Sequence, residues 1–216
     1  MARPSLSREQ IVSAAIEVAD EGGLDAVTMR LVGQRLNASG MALYRHVANR
    51  EALIEAMVDA VVGEFAYPEP RPPHWRDALA ALANQDWRSY FAHPWFLAAT
   101  ATCRPVLGPK MLAAMEWALA SFDGLDVTAL EKLHLLSIVT SYGQGLALTW
   151  TQPDREGSGQ YWREQLRGVG HRRLEAIPAE LGDDVELDLD RQFAFGLERV
   201  LDGIEMYLTS PPARRP

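Results

Sequence analysis

The chain has 216 residues and a net charge of −8, with 48% hydrophobic and 23% charged residues, the balance of a folded globular protein rather than a disordered one. No apolar run reaches the ~18 residues a bilayer span needs, and the opening Met1-Ala2-Arg3-Pro4-Ser5-Leu6-Ser7 has no apolar centre of a secretory leader, so the expected location is the cytoplasm. Its one cysteine, Cys103, excludes an internal disulfide and a cysteine-based zinc site.

Almost every segment shows helical spacing and almost none shows the alternation of a strand, so the expected fold class is all-α. Ser7 caps a first helix, with Gln10 completing a capping box. Ile11, Ala14, Ala15, Val18 and Ala19 form its apolar face, and Gly22-Gly23 ends it. Thr28 caps a short second helix with Met29, Val32 and Leu36 inward. Asn37 tolerates the left-handed backbone of a tight turn. Ser39 caps a third helix burying Leu43 and Val47, and a fourth runs from about Arg50 to Phe65 with Leu53, Ile54, Met57, Val58 and Val61 inward. Four prolines between Tyr67 and Pro73 mark a joint. Helical patterns return at about 74–92, 94–102, 106–122 and 127–151. The stretch 152–186 is rich in Gly, Pro and charge, with one short helix expected around 160–176. An amphipathic helix closes the chain at about 187–209, with Phe193, Leu197, Val200, Leu201, Ile204 and Leu208 as its stripe.

Charge is unevenly placed. Residues 1–50 hold six arginines against five acids, and between 28 and 50 there are four arginines, one histidine and no acid. An acidic body with one basic end fits a protein that meets phosphates at that end. The two short helices within residues 24–50 form a helix-turn-helix, whose second helix enters the major groove. Thr28, Arg30, Ser39, Gly40, Met41, Ala42, Tyr44, Arg45, His46 and Arg50 are the candidate DNA contacts. Tyr44, Arg45 and His46 can hydrogen-bond to phosphates or base edges, and Met41 and Ala42 can touch a thymine methyl. The division expected is a DNA-binding domain over 1–50, a connecting helix over 51–66 and a ligand-binding and dimerisation domain over 67–216.

The segment Val27-Thr-Met-Arg-Leu-Val-Gly-Gln-Arg-Leu-Asn-Ala-Ser-Gly-Met-Ala-Leu-Tyr-Arg-His-Val, followed by Asn49-Arg50-Glu51-Ala52-Leu53, resembles the DNA-binding region of the tetracycline-repressor (TetR) family. Thr28, Val32, Leu43, Tyr44, His46, Val47, Arg50 and Leu53 carry the match. Gly33 stands where that family usually has Ala, and Asn37 where it usually has Gly. A weaker likeness reaches the second domain of the tetracycline repressors through His74-Trp75-Arg76-Asp77, Thr102-Cys103-Arg104-Pro105 and Phe195-Gly196-Leu197-Glu198. The resemblance implies a homodimeric repressor released from a palindromic operator by a small ligand. It also argues against magnesium-tetracycline, because Thr100 occupies the place of a metal-binding His, and Ala66 and Thr149 the places of further drug or metal contacts. No cofactor, metal or catalytic residue is expected.

Aromatic and thioether side chains are concentrated between the joint and the penultimate helix. Trp87, Tyr90, Trp95, Phe96, Thr100, Arg104, Met111, Met115, Tyr142, Gln144 and Trp150 are the candidate ligand-binding residues, suited to a planar, partly polar molecule. The dimer is expected through the helices at about 127–151 and 187–209, whose Gly143, Gly145, Gly196 and Gly203 would admit close helix approach. The competing readings are an all-helical small-molecule enzyme and a protein-binding adaptor. Against the enzyme, the chain has no nucleophile elbow, phosphate loop or paired metal-binding histidines.

Overall fold

The computed structural model describes residues 6–102, 107–150, 164–181 and 188–210, apart from the side chains of 102, 150 and 178–181. The first helix, α1 (Arg8–Gly22), begins at the expected box. Ser7 Oγ accepts from the Gln10 amide at 3.2 Å, and Gln10 Oε1 accepts from the Ser7 amide at 3.0 Å. After a 3₁₀ turn (Leu24–Ala26) come α2 (Met29–Arg35), α3 (Gly40–Leu43) and α4 (Arg50–Val62). With seven and four residues, α2 and α3 are too short to persist on propensity. Their ends are therefore fixed by side chains: Thr28 Oγ1 accepts from Leu31 N, Ser39 Oγ from Ala42 N.

The turn between α2 and α3 has the left-handed residue expected of it, Asn37 at φ 51°. Gly33 has a reason as well, since a Cβ there would lie 2.8 Å from the Ala38 carbonyl oxygen. Ile11, Val27, Val32, Leu43 and Leu53 are fully enclosed and form the common core of these helices. The fourth helix stops at Val62 rather than Phe65, because Gly63 takes over as its cap.

The remaining helices are α5 (Trp75–Ala92), α6 (Pro94–Thr102), α7 (Pro109–Leu119, followed by a 3₁₀ turn), α8 (Ala129–Trp150), α9 (Arg172–Leu181) and α10 (Leu189–Thr209), and of these α5 to α8 and α10 form a larger bundle. α5 packs against α6, α8 and α10, and α10 lies along α8. Leu79, Phe122, Val139 and Leu201 are enclosed between them. Among the described residues there is no strand, and no described helix is long and apolar enough to cross a membrane.

The single helix expected around 160–176 is interrupted: residues 164–166 are helical, a break follows, and a separate helix begins later. Gly168 and Gly170 both have positive φ, at 70° and 72°, and α9 starts only at Arg172. Residues 151–163 lie outside the described part.

Candidate nucleic-acid interface and ligand cavity

Leu43 and Val47 are buried, and this turns the other side of α3 and the turn after it to solvent. Met41 is 75% and Tyr44 48% exposed, and Arg45, His46 and, from α2, Arg30 are exposed beside them. These side chains share one surface with both hydrogen-bonding and apolar character. Thr28 and Ser39 are exposed, and their hydroxyls cap α2 and α3. Gly40 differs from the outward position expected of it. A Cβ there would sit 3.2 Å from the Met29 carbonyl oxygen, so Gly40 is where α3 meets the start of α2. Ala42 is half-buried. The neighbouring Arg35 turns away from this surface and pairs with Glu17 and Glu21 of α1.

Arg50 is placed otherwise than as a free phosphate contact. It is half-buried, with Nε donating to the Val27 carbonyl and Nη2 to the Leu24 carbonyl, each at 2.7 Å. The guanidinium thus pins the start of α4 to the segment leading into α2.

The far end of α4 is tied into the second bundle. Asp59 Oδ1 accepts from the amides of Lys110 and Met111 at 3.0 Å each, capping α7 from outside. Gly108 makes room for it, since a Cβ there would fall 2.2 Å from that oxygen. A second tie is His93, between α5 and α6. Its Nδ1 lies 2.8 Å from Asp20 Oδ1 on α1, and its Nε2 lies 3.0 Å from Glu64 Oε2. The ring thus bridges two carboxylates on different elements, one at each nitrogen. Trp95 Nε1 donates to the same Asp20 oxygen at 2.7 Å.

Between α4, α5, α6, α7 and α8 lies a cavity of about 290 Å³. Tyr90, Phe96, Thr100, Met111, Met115 and Gln144 line it, together with Val58 and Val62 of α4. Two of the polar candidates meet here: Gln144 Nε2 donates to Thr100 Oγ1 at 3.2 Å. Three expected residues fall elsewhere. Trp87 stacks on Phe193 at 4.2 Å and donates to Asp190, and Trp95 belongs to the Asp20 tie. Tyr142 donates to the Gln192 or Phe193 carbonyl, both at 3.1 Å, and Gly196 admits it, because a Cβ there would be 2.1 Å from its hydroxyl. Each of these rings uses its polar atom to join helices. Arg104 and the side chain of Trp150 lie outside the described residues.

Sequence reasoning missed Asp86 and Tyr67, which also line the cavity. Desolvation raises the Asp86 carboxyl to about 7. Both phenols are raised too, by burial and by the nearby Asp86 charge. Asp86 sits between Gln85 and Trp87 on a helix with several exposed polar residues, and no spacing marks it out.

One outer surface remains apolar. Leu130 and Ile138 of α8, and Phe195 and Met206 of α10, are 62%, 51%, 66% and 73% exposed. Gly145 and Gly203 lie on the same sides of these helices, and a Cβ on either would meet open space.

Residues 11–57 match the family of bacterial regulatory proteins, tetR family, and residues 68–208 the tetracyclin repressor-like C-terminal domain. The chain is 30% identical over 215 residues to the HTH-type transcriptional repressor DrrR1 of Streptomyces coeruleorubidus, covering 94% of this chain and 79% of that one. It is 24% identical over 220 residues to the class D tetracycline repressor protein of Escherichia coli, covering 95% and 92%. Among solved structures, ActR of Streptomyces coelicolor in complex with actinorhodin superposes with a TM-score of 0.80 at 25% identity, covering 96% of this chain and 100% of that one.

Proposed function

The chain belongs to the TetR family of bacterial transcriptional regulators, and from that premise we propose that it is a homodimeric repressor, acting in the cytoplasm, that a small planar aromatic ligand releases from a palindromic operator. The observation that carries this reading is that α4 belongs to both sites. Its Val58 and Val62 line the cavity, while its Arg50 holds the carbonyls of Val27 and Leu24 at the entry to the helix-turn-helix. A ligand that fills the cavity displaces α4 and with it the reading head. The ligand acts because it binds the arrangement unsuited to DNA more tightly than the suited one.

Thr28, Arg30, Ser39, Met41, Ala42, Tyr44, Arg45 and His46 form the contact surface, with Arg50 positioning it from behind. The apolar stripes of α8 and α10 supply the dimer contact, which sets two reading heads about one helical turn apart. The crystallised complex of ActR with actinorhodin supports a ligand-bound state of this fold.

Selection of bound duplexes from a random-sequence pool, followed by fluorescence anisotropy, tests the reading. A palindrome should be enriched, and its affinity should fall steeply with salt. Replacing Arg45 with Ala should weaken binding on the order of tenfold and lower the salt slope by about one, with the dimer intact. A pool that yields no preferred sequence would overturn the reading.

A further inference from the structure

Among the described residues the cavity lining has one carboxylate and no basic side chain. It otherwise consists of aliphatic groups, Tyr67, Tyr90, Phe96, two thioethers and the neutral polar Thr100, Thr140 and Gln144. Asp86 has neither a hydrogen bond nor an ion pair to its carboxylate among the described residues. We propose that this cavity takes a planar aromatic ligand bearing a positively charged nitrogen, with Asp86 as its counter-ion. The proposal rests on reading the cavity as the effector site, and it names the chemical class that the site selects.

An unpaired carboxylate in an apolar wall is costly unless something compensates it. Among the described residues no cation does so, which leaves the occupant of the cavity. Tyr90, Phe96 and Tyr67, which itself stacks on Trp117 at 4.8 Å, present ring surfaces that also favour a cation. A cavity of about 290 Å³ is near the lower end of small-molecule sites, so a fused-ring amine fits and a much larger ligand does not. Anionic ligands are disfavoured, because Asp86 opposes their charge and the described lining offers no arginine or lysine to receive it. Below about pH 7 the carboxyl is protonated. Binding the cation then releases that proton to solvent, and affinity weakens as pH falls.

The test uses aminoacridine, a tricyclic cation, and acridine, its neutral counterpart near pH 8, titrated into the full-length protein without DNA. The wild-type chain should prefer aminoacridine to acridine. Asp86→Asn should lose at least ~30-fold in affinity for aminoacridine while binding acridine as before, and Asp86→Glu should retain the preference for the cation. Thermal melting of each variant establishes that it is folded. Equal binding of the two probes by the wild type, or an Asn variant that keeps its hold on the cation, would overturn the proposal. If acridine alone released the protein from operator DNA, the repressor reading would stand and the charge assignment would fall. Failure of both probes to bind would overturn the proposal together with the assignment of this cavity as the effector site.

Discussion

A carboxyl that titrates at about 7 makes folding sensitive to pH in a particular direction. Between pH 4 and 7, roughly, the folded chain keeps a proton on Asp86 that the unfolded chain has released, so stability declines as pH rises through that window and stays low above it. Asp86→Asn removes the effect. The variant should be more stable by up to about 4 kcal/mol near pH 8, visible as a melting point higher by on the order of 10 °C, and the gain should shrink as pH is lowered toward 4. A variant no more stable than the wild type at alkaline pH would show that Asp86 is better solvated than its surroundings imply. Residues of this kind are poorly legible in sequence, because one acid on an amphipathic helix looks the same whether it faces water or a cavity. Thr100 and Gln144 could be read as polar residues of an aromatic-rich region, but their bond to each other joins positions 44 apart and leaves no local mark. The tryptophans could not be assigned that way. Trp87 and Trp95 are directed by Asp190 and Asp20, partners distant in sequence that no local pattern reveals.

The helices whose ends were legible are those with short-range caps. Ser7, Thr28 and Ser39 bond to amides three residues ahead, and a contact that local leaves its mark in the sequence. The break before α9 depends on two glycines in left-handed conformation, and glycine alone does not distinguish a break from a tolerated helix position. The connections of α4 belong to neither class. Asp59 caps a helix about fifty residues away, and Arg50 reaches back to Leu24 and Val27. The tie at His93 has a function that follows from its partners, because it joins α1 to the α5–α6 corner. His93→Ala should leave operator affinity within about threefold, since it lies away from the reading surface. It should, however, weaken ligand-induced release by roughly 5-fold or more, the scale of a typical coupling between sites. Anisotropy of bound operator titrated with ligand measures this, and an unchanged release curve would assign the coupling to Asp59 and Arg50 alone.

The whole chain reads as two charge regions. The all-helical architecture and the helix-turn-helix were legible because helical periodicity and the clustering of arginine are properties of long stretches, which local exceptions barely disturb. The surface proposed for the dimer marks itself in the sequence only as an excess of apolar residues and glycines. Gly196 proved to serve Tyr142 of its own chain, whereas Gly145 and Gly203 face outward. Replacing Ile138 and Phe195 together with Glu should convert the dimer to monomer at micromolar concentration, measured by analytical ultracentrifugation, and abolish binding to the full palindrome. A variant that remains dimeric would move the interface elsewhere. The double duty of α4 has one more consequence, which concerns the dose at which the switch responds. Two ligands that oppose each other through one element must weaken each other by the same factor. Operator-bound protein therefore takes up effector less readily than free protein, and a stronger operator raises the effector concentration at which its gene turns on. Promoters with different operator affinities would then open in sequence as that concentration climbs, all under one repressor.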